Sequence, residues 1–409
     1  MTALTAHHDH IAPPAEGGSV ADGRTVDGQV AGARIGVTRL MLTNFRSYAS
    51  GELVVSGGPV VLVGPNGAGK TNVLDALSLL SPGRGLRGAK LGEHIRKGPS
   101  VQSEALWAVA ATVSRNGDSH EIGTGLTVGP NGGERRQLRL NGAPATSTAD
   151  LSEILQMNWL TPAMDRLFIE SASGRRRFLD RLVFGFDAGH ARRAVRYETA
   201  MRERARLLKY GPRDPAWLEG LESDMAETGA AVIAARAATV ARLNAALELR
   251  GQAGAFPCAQ LGVLGDADRL VEDSADPVSA LRERLLRARV RDAEAGRTTF
   301  GPHLSDMAVR HTAKRADARE CSTGEQKALL ISIILAQSWE SAHMNGVPVL
   351  LLDEIAAHLD STRRAALAEE ILALGAQAWM TGTDLSLFDA FGSRAETFVV
   401  GAGQFVRQD

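Results

Sequence analysis

Apolar residues fall into short unbroken runs toward the two ends of the chain and into helical stripes between them. Val60–Val63 reads as a buried strand, and Val73, Leu74, Leu77 and Leu80 continue at helical spacing. A second unbroken run, Val349–Leu352, repeats the strand signal near the C-terminus, and the segment Ala328–Trp339 ahead of it has the pattern of a buried helix. From Asp187 to about Glu294 the pattern is mainly helical. Ile233, Val240, Leu243 and Leu247 stripe one face, while Pro212, Pro215, Pro257 and Pro277 divide the segment into three or four helices, too short for a long coiled coil. The pattern predicts an α/β core split by an inserted compact helical lobe: a tail over 1–34, a first core half over 35–186, the lobe over 187–296 and a second core half over 297–409.

Composition narrows this picture. The 409 residues are 44% hydrophobic and 23% charged, as in an ordinary folded protein. No run approaches the ~18 unbroken apolar residues that a membrane span needs. Residues 1–34 lack the basic start and apolar centre of a signal peptide and read as a disordered tail, with His7, His8 and His10 solvated rather than metal-bound. Cys258 and Cys321 make neither a zinc pattern nor a disulfide framework, which points to a reducing, cytoplasmic setting. A net charge of −1 excludes a uniformly basic surface, so nucleic acid must be held by local patches. Arg84, Arg87, Lys90, Arg96 and Lys97 form one candidate, and Arg192 to Lys209 another, because acids are few around them. The run 282–291 reads instead as a solvated helix face.

The strand at Val60–Val63 runs into Gly64-Pro65-Asn66-Gly67-Ala68-Gly69-Lys70-Thr71 and then the helix, which is the context a Walker A loop requires. Glycines allow backbone N–H groups to converge on phosphates, Lys70 reaches the β- and γ-phosphates, and the Thr71 hydroxyl takes a place on Mg²⁺. The second strand ends in Asp353-Glu354. Asp353 suits a Walker B acid that holds Mg²⁺, and Glu354 is placed as the general base that polarises an attacking water. None of the six lysines stands in the Asn-Lys-x-Asp setting of a GTPase.

Cys321-Ser322-Thr323-Gly324-Glu325-Gln326-Lys327 precedes the Asp353 strand by about 25 residues and resembles the LSGGQ signature of ABC-type ATPases. Ser322 and Gly324 match its Ser and second Gly, with Gln326 beside them; Thr323 and Cys321 depart from it. Leu359-Asp360-Ser361-Thr362 resembles the D-loop, with Asp360 as its acid. At the switch position, usually histidine, the chain offers Thr381 and Thr383, and the Q-loop glutamine is left unassigned, with Gln156 only nearby. Ser322 lies 252 residues after Lys70, against roughly 100 in transporter subunits, and such a long insertion is the plan of SMC-like DNA-maintenance ATPases.

Shorter stretches resemble the RecF family of bacterial recombination mediator ATPases across about 35–405. They are LTNFRSY (42–48), LLSPGRGLRGAK (79–90), LTPAMDRLF (160–168), RRRFLDRLVF (175–184), TTFGPHLSDM (298–307), STGEQK and TGTD. Leu304 and Ser305 stand where that family continues with Arg and Asp. The resemblance implies an ABC-type ATPase head with ATP and Mg²⁺ as cofactors, Arg46 of the first stretch as a nucleotide contact, and slow DNA-stimulated hydrolysis. It also implies an ATP-dependent homodimer on single-stranded, duplex or junction DNA, with RecO and RecR as partners and no membrane. An ABC transporter ATPase subunit is the alternative.

Overall fold

The structure, a computed structural model, describes residues 34–98, 105–129, 132–145, 150–151, 153–211, 214–251 and 254–408. The tail histidines His7, His8 and His10 and the predicted helix breaker Pro212 lie outside the described residues.

Strands β1 (Ile35–Phe45) and β2 (Tyr48–Val54) form a hairpin whose tight turn places Asn44 and Arg46 at positive φ. The chain then enters a different sheet as β3 (Val60–Val63) and passes through the glycine loop into helix α1 (Lys70–Ser78). It returns as β4 (Ala105–Arg115), β5 (Asp118–Val128), β6 (Glu134–Leu140) and β7 (Ala143–Pro144), giving an antiparallel sheet of order β2-β1-β4-β5-β6-β7. After β8 (Met157–Leu160) come α2 (Ala172–Phe184), α3 (His190–Tyr210) and α4 (Pro215–Gly251), then β9 (Ala259–Leu264), α5 (Asp266–Glu272) and α6 (Pro277–Ala295). The second core half holds β10 (Asp306–His311), β11 (Ala316–Asp317), α7 (Thr323–Met344), β12 (Val349–Leu352), α8 (Ser361–Leu374), β13 (Ala378–Gly382), β14 (Glu396–Gly401) and β15 (Gln404–Gln408).

The sheet that carries the site has the order β15-β14-β3-β13-β12-β8; β14, β3, β13, β12 and β8 run parallel and β15 is antiparallel. Both faces of the inner strands are covered, which is why β3 and β12 read as unbroken apolar runs rather than alternating ones. Val60, Leu62, Val349 and Leu351 face α1 and the antiparallel sheet. Their neighbours Val61, Val63, Leu350 and Leu352 face α7. The strand alternation thus splits a single apolar run between two cores. Both predicted strands occur with the predicted bounds.

The inserted lobe differs from the expectation in two ways. Helix α4 has 37 residues, roughly 55 Å of rise, because nothing breaks it between Pro215 at its first turn and Gly251 at its end. The predicted stripe, Ile233, Val240, Leu243 and Leu247, is buried as expected. Its lower part, Val240 to Leu247, shares a core with α7, whereas Ala226 and Ile233 pack on Leu281 and Phe300 in the lobe. The helix is therefore a strut between lobe and head. By length and composition it is apolar enough to cross a membrane, but Leu218, Met225, Ile233 and Leu243 are all buried. The second difference is β9, which pairs antiparallel with β10, so the lobe segment already contributes a strand to a three-stranded sheet with the second core half.

Candidate nucleotide site

The site gathers at the C-terminal ends of β3, β12 and β13. Gly64 and Gly69 shape the loop. At Gly64 (φ 152°) an added Cβ would meet the Val400 carbonyl oxygen at 2.4 Å. At Gly69 (φ 110°) it would meet the Tyr48 hydroxyl at 2.8 Å. Tyr48, stacked on Phe405 with centroids 5.0 Å apart, donates to the Gly69 carbonyl at 3.0 Å. The hairpin turn thereby props the loop from behind. Pro65, Asn66 and Gly67 are exposed and Ala68 is half-buried at the crest, while Lys70 is buried. Its ammonium donates to the Gly64 and Pro65 carbonyls at 2.6 and 3.0 Å. Burial lowers its pKa, opposed by the charges of Glu354 and Asp353.

Asp353, the last buried acid after β12, accepts two hydroxyl hydrogen bonds on one oxygen: from Thr71 at 2.8 Å and from Thr381 at 2.7 Å. The Thr381 oxygen also accepts the backbone N–H of Glu354 at 2.9 Å. A hydroxyl and a carboxylate side by side are hard oxygen donors, the kind Mg²⁺ takes along with phosphate oxygens and waters. Thr71 and Asp353 would hold it, and the ion would neutralise charge on the β- and γ-phosphates. Glu354 adopts the left-handed conformation (φ 50°, ψ 30°), which costs a non-glycine residue ~1–3 kcal/mol and marks functional positions. Its carbonyl accepts from the Lys327 ammonium at 3.3 Å, so both the N–H and the carbonyl of Glu354 are held. Lys327 is buried, with its pKa lowered by desolvation against the pull of Asp165, whose carboxylate is 3.7 Å away.

The signature segment faces outward. Ser322 is the N-cap of α7 in a capping box with Glu325, and both Ser322 and Thr323 are exposed. The helix begins at Thr323, five residues before the predicted Ala328, because this box starts it. Nothing lies within 4 Å of a Cβ built on Gly324, so the glycine leaves open backbone there. Asp360 caps α8 by accepting from the Arg363 N–H at 2.8 Å, and its side chain is mostly exposed.

Two predicted contacts have partners within the chain. Gln326 is buried and donates to the Cys321 carbonyl at 2.8 Å, because one position past Glu325 the helix turns toward the core. Arg46 donates to Asp75 of α1 at 2.6 Å. Burial pushes the Asp75 carboxyl up, but the His94 ring 3.6 Å away and the charge of Arg46 outweigh it and its pKa is lowered. Gln156 precedes β8, at the opposite end of the parallel sheet from the loop, which removes it as a Q-loop residue. Thr381, offered without emphasis by the sequence, is in the site; Thr383 is exposed beyond it. Lys327, Asp165 and Tyr48 were missed, since their relevance depends on pairings across more than 20 residues that no local spacing signals.

The basic clusters also divide. Arg175 pairs bidentately with Asp306 at 2.7 Å, and Arg193 and Arg196 pair with Asp187 and Asp224. Arg204 is fully buried between Glu222 at 2.9 Å and Asp292 at 2.7 Å, so it is lobe core rather than a phosphate contact. Arg84, Arg87, Lys90 and Lys97 remain exposed. Ser305, at the departure from the family pattern, donates to Asp268, while Leu304 is exposed.

Residues 36–390 match the family described as RecF/RecN/SMC N terminal domain. A Mesorhizobium japonicum protein named DNA replication and repair protein RecF is 48% identical over 91% of this chain and 97% of its own length. An Agrobacterium fabrum protein of the same name is 49% identical over 90% of this chain and 98% of its own. Among solved structures, the recombination mediator protein RecF with ATP superposes with a TM-score of 0.78 at 24% identity, covering 93% of this chain and 99% of that one. An Smc head domain bound to part of ScpA gives 0.52 at 18% identity, covering 92% and 96%. The core is an ABC-type ATPase head, and the transporter-subunit alternative falls away: this chain belongs to the RecF family of DNA replication and repair proteins.

Proposed function

We propose that the chain is an ATP-dependent DNA-binding protein of recombinational repair and replication, acting in the cytoplasm. ATP and Mg²⁺ fill the pocket formed by residues 64–71 and Asp353, and two chains close head to head over DNA. Each composite site then joins Lys70, Thr71, Asp353 and Glu354 of one copy to Ser322 and Gly324 of the other, with Asp360 at the seam. Glu354 takes the proton of the attacking water, and slow, DNA-stimulated hydrolysis reopens the clamp. DNA is recognised through backbone and shape at single-strand gaps and junctions, since no base-reading module occurs. RecO and RecR are the partners with which it promotes recombinase loading, in line with the names of its relatives.

One observation supports this reading above the others. Lys70 and Asp353 are buried and hydrogen-bonded within the chain, while Ser322 and Thr323 are exposed and Gly324 is uncrowded at an open helix N-terminus. Such an end attracts a phosphate, and another chain's nucleotide is the one that fits a signature sequence. Light scattering with ATP and duplex DNA tests it. Glu354→Gln should give a persistent ATP-dependent dimer and Ser322→Arg should stay monomeric while still binding ATP. A Ser322→Arg protein that dimerises like wild type would overturn the composite site.

A further inference from the structure

The lobe contains a cavity of about 430 Å³ with no acid on its wall. Arg202, Arg206 and Lys209 reach it from one face of α3, spaced as i, i+4 and i+7. Arg297 enters from the other side, after the left-handed turn that Gly296 (φ 64°) makes at the end of α6. All four cations are exposed, and among the described residues none has a carboxylate within 4 Å. Among the described residues Arg202 donates to the Glu198 carbonyl and the Thr199 hydroxyl. Arg204, on the same helix, is buried between Glu222 and Asp292, so the lobe's interior acids are engaged inward. Like charges stacked at i, i+4 cost a helix stability.

Two planar groups complete the wall. His303 has both ring nitrogens engaged, by the Tyr197 hydroxyl at 2.8 Å and the Thr298 carbonyl at 3.1 Å. Tyr210 is 77% exposed, with the Lys209 ammonium 5.0 Å from its ring centre. An exposed ring beside unpaired cations is the combination that binds single strands, phosphates on the cations and a base on the ring. The volume falls within the ~300–1,000 Å³ of clefts that take small ligands, enough for one nucleotide unit.

We propose that this cavity is a single-strand DNA subsite, in which Arg202, Arg206, Lys209 and Arg297 hold backbone phosphate and Tyr210 stacks a base. The assignment rests on the DNA-binding reading above and locates one of its contacts. A duplex keeps its bases paired, so it can use the cations but not the ring.

Fluorescence anisotropy of the full chain with ATP and Mg²⁺ tests it, using a labelled 25-nucleotide oligo(dT) and a duplex of the same length over a salt series. The variants are Tyr210→Ala, Arg206→Ala with Arg297→Ala, and Arg287→Ala as an exposed charge outside the cavity. Tyr210→Ala should weaken the strand about 5- to 100-fold and leave the duplex within about twofold. The double variant should reduce the salt slope for the strand by about 1.4, two contacts at ~0.7 each. Arg287→Ala should match wild type. Strand affinity unchanged in both cavity variants overturns the subsite while leaving DNA binding intact, and equal losses on strand and duplex in Tyr210→Ala overturn the stacking. A wild-type protein that binds neither DNA overturns the broader reading along with it.

Discussion

On one side of the head, Thr71, Asp353 and Thr381 satisfy one another within 2.7–2.8 Å, and the Glu354 peptide is held from both ends by Thr381 and Lys327. On the other, the first turn of α7 is held by the Ser322–Glu325 box and by Lys314 on Glu325, and it exposes Ser322 and Thr323 beside an uncrowded, half-buried Gly324. The first region is organised before any ligand arrives. The second is a capped edge whose foremost residues, Ser322 and Thr323, face solvent. Preorganised donors are what a site needs where charge develops, because little reorganisation then remains at the moment of reaction. A capped helix end is what a surface needs if it is to meet a phosphate repeatedly without fraying. Lys327 links the two regions physically, since it stands one turn into α7 and touches the carbonyl of Glu354.

The largest expected effect separates chemistry from closure. Glu354→Gln keeps the size and left-handed backbone of the residue but removes the carboxylate proposed as the base. Turnover should fall ~10²–10⁴-fold with ATP affinity within a few-fold of wild type, measured by phosphate release and nucleotide titration. Unchanged turnover would show that Glu354 is not the base and that the strain at its backbone serves something else. The next effect tests the packed side alone. Thr381→Val keeps the shape but removes the donor to Asp353 and the acceptor for the Glu354 N–H. Leaving such groups unpaired costs ~1–3 kcal/mol, or roughly ten- to a hundredfold in kcat if it falls on the transition state. The ATP-driven dimer should survive, because the α7 edge is untouched. Loss of dimerisation in Thr381→Val, seen by light scattering, would erase the distinction between the two regions.

How much of this was legible in the sequence follows from how far each feature depends on distant contacts. The strands Val60–Val63 and Val349–Leu352 were readable because burial on both faces leaves no polar interruption. The Walker A loop was readable because its residue types are dictated by one local structure. Thr381 carried only a positional hint, since its two bonds join β13 to the end of β12 across 27 and 28 residues. Gln326 and Arg204 were misread for one reason: polar residues read as exposed until a partner is seen. Gln326 found the Cys321 carbonyl and Arg204 found Glu222 and Asp292. Pro215 was read in its place, since α4 begins there and a first-turn proline lacks only an N–H that would have no helical partner, but the 37 residues that follow without a break exceed the short helices expected.

The smallest effect concerns the exposed edge. The Glu325 carboxyl is held down at about 2, first by the hydrogen bond from Lys314 and then by the Ser322 backbone and side chain. A carboxyl with a depressed folded pKa contributes stability that is fully present above its unfolded value and is lost as pH falls through the folded one. The window therefore opens near the ordinary 4.5 and runs down toward 2. Glu325→Gln isolates this contribution, because glutamine preserves the capping box while removing the charge that meets Lys314 and the helix N-terminus. The variant should melt slightly below wild type at pH 7, and the gap should narrow by pH 3.5, where the unfolded carboxyl is mostly protonated. Added salt should narrow it at pH 7 as well, since both partners are at the surface. A gap that is the same at both pH values would mean that Glu325 acts through hydrogen-bond geometry alone, and the edge of α7 would then be held by its shape rather than by its charge.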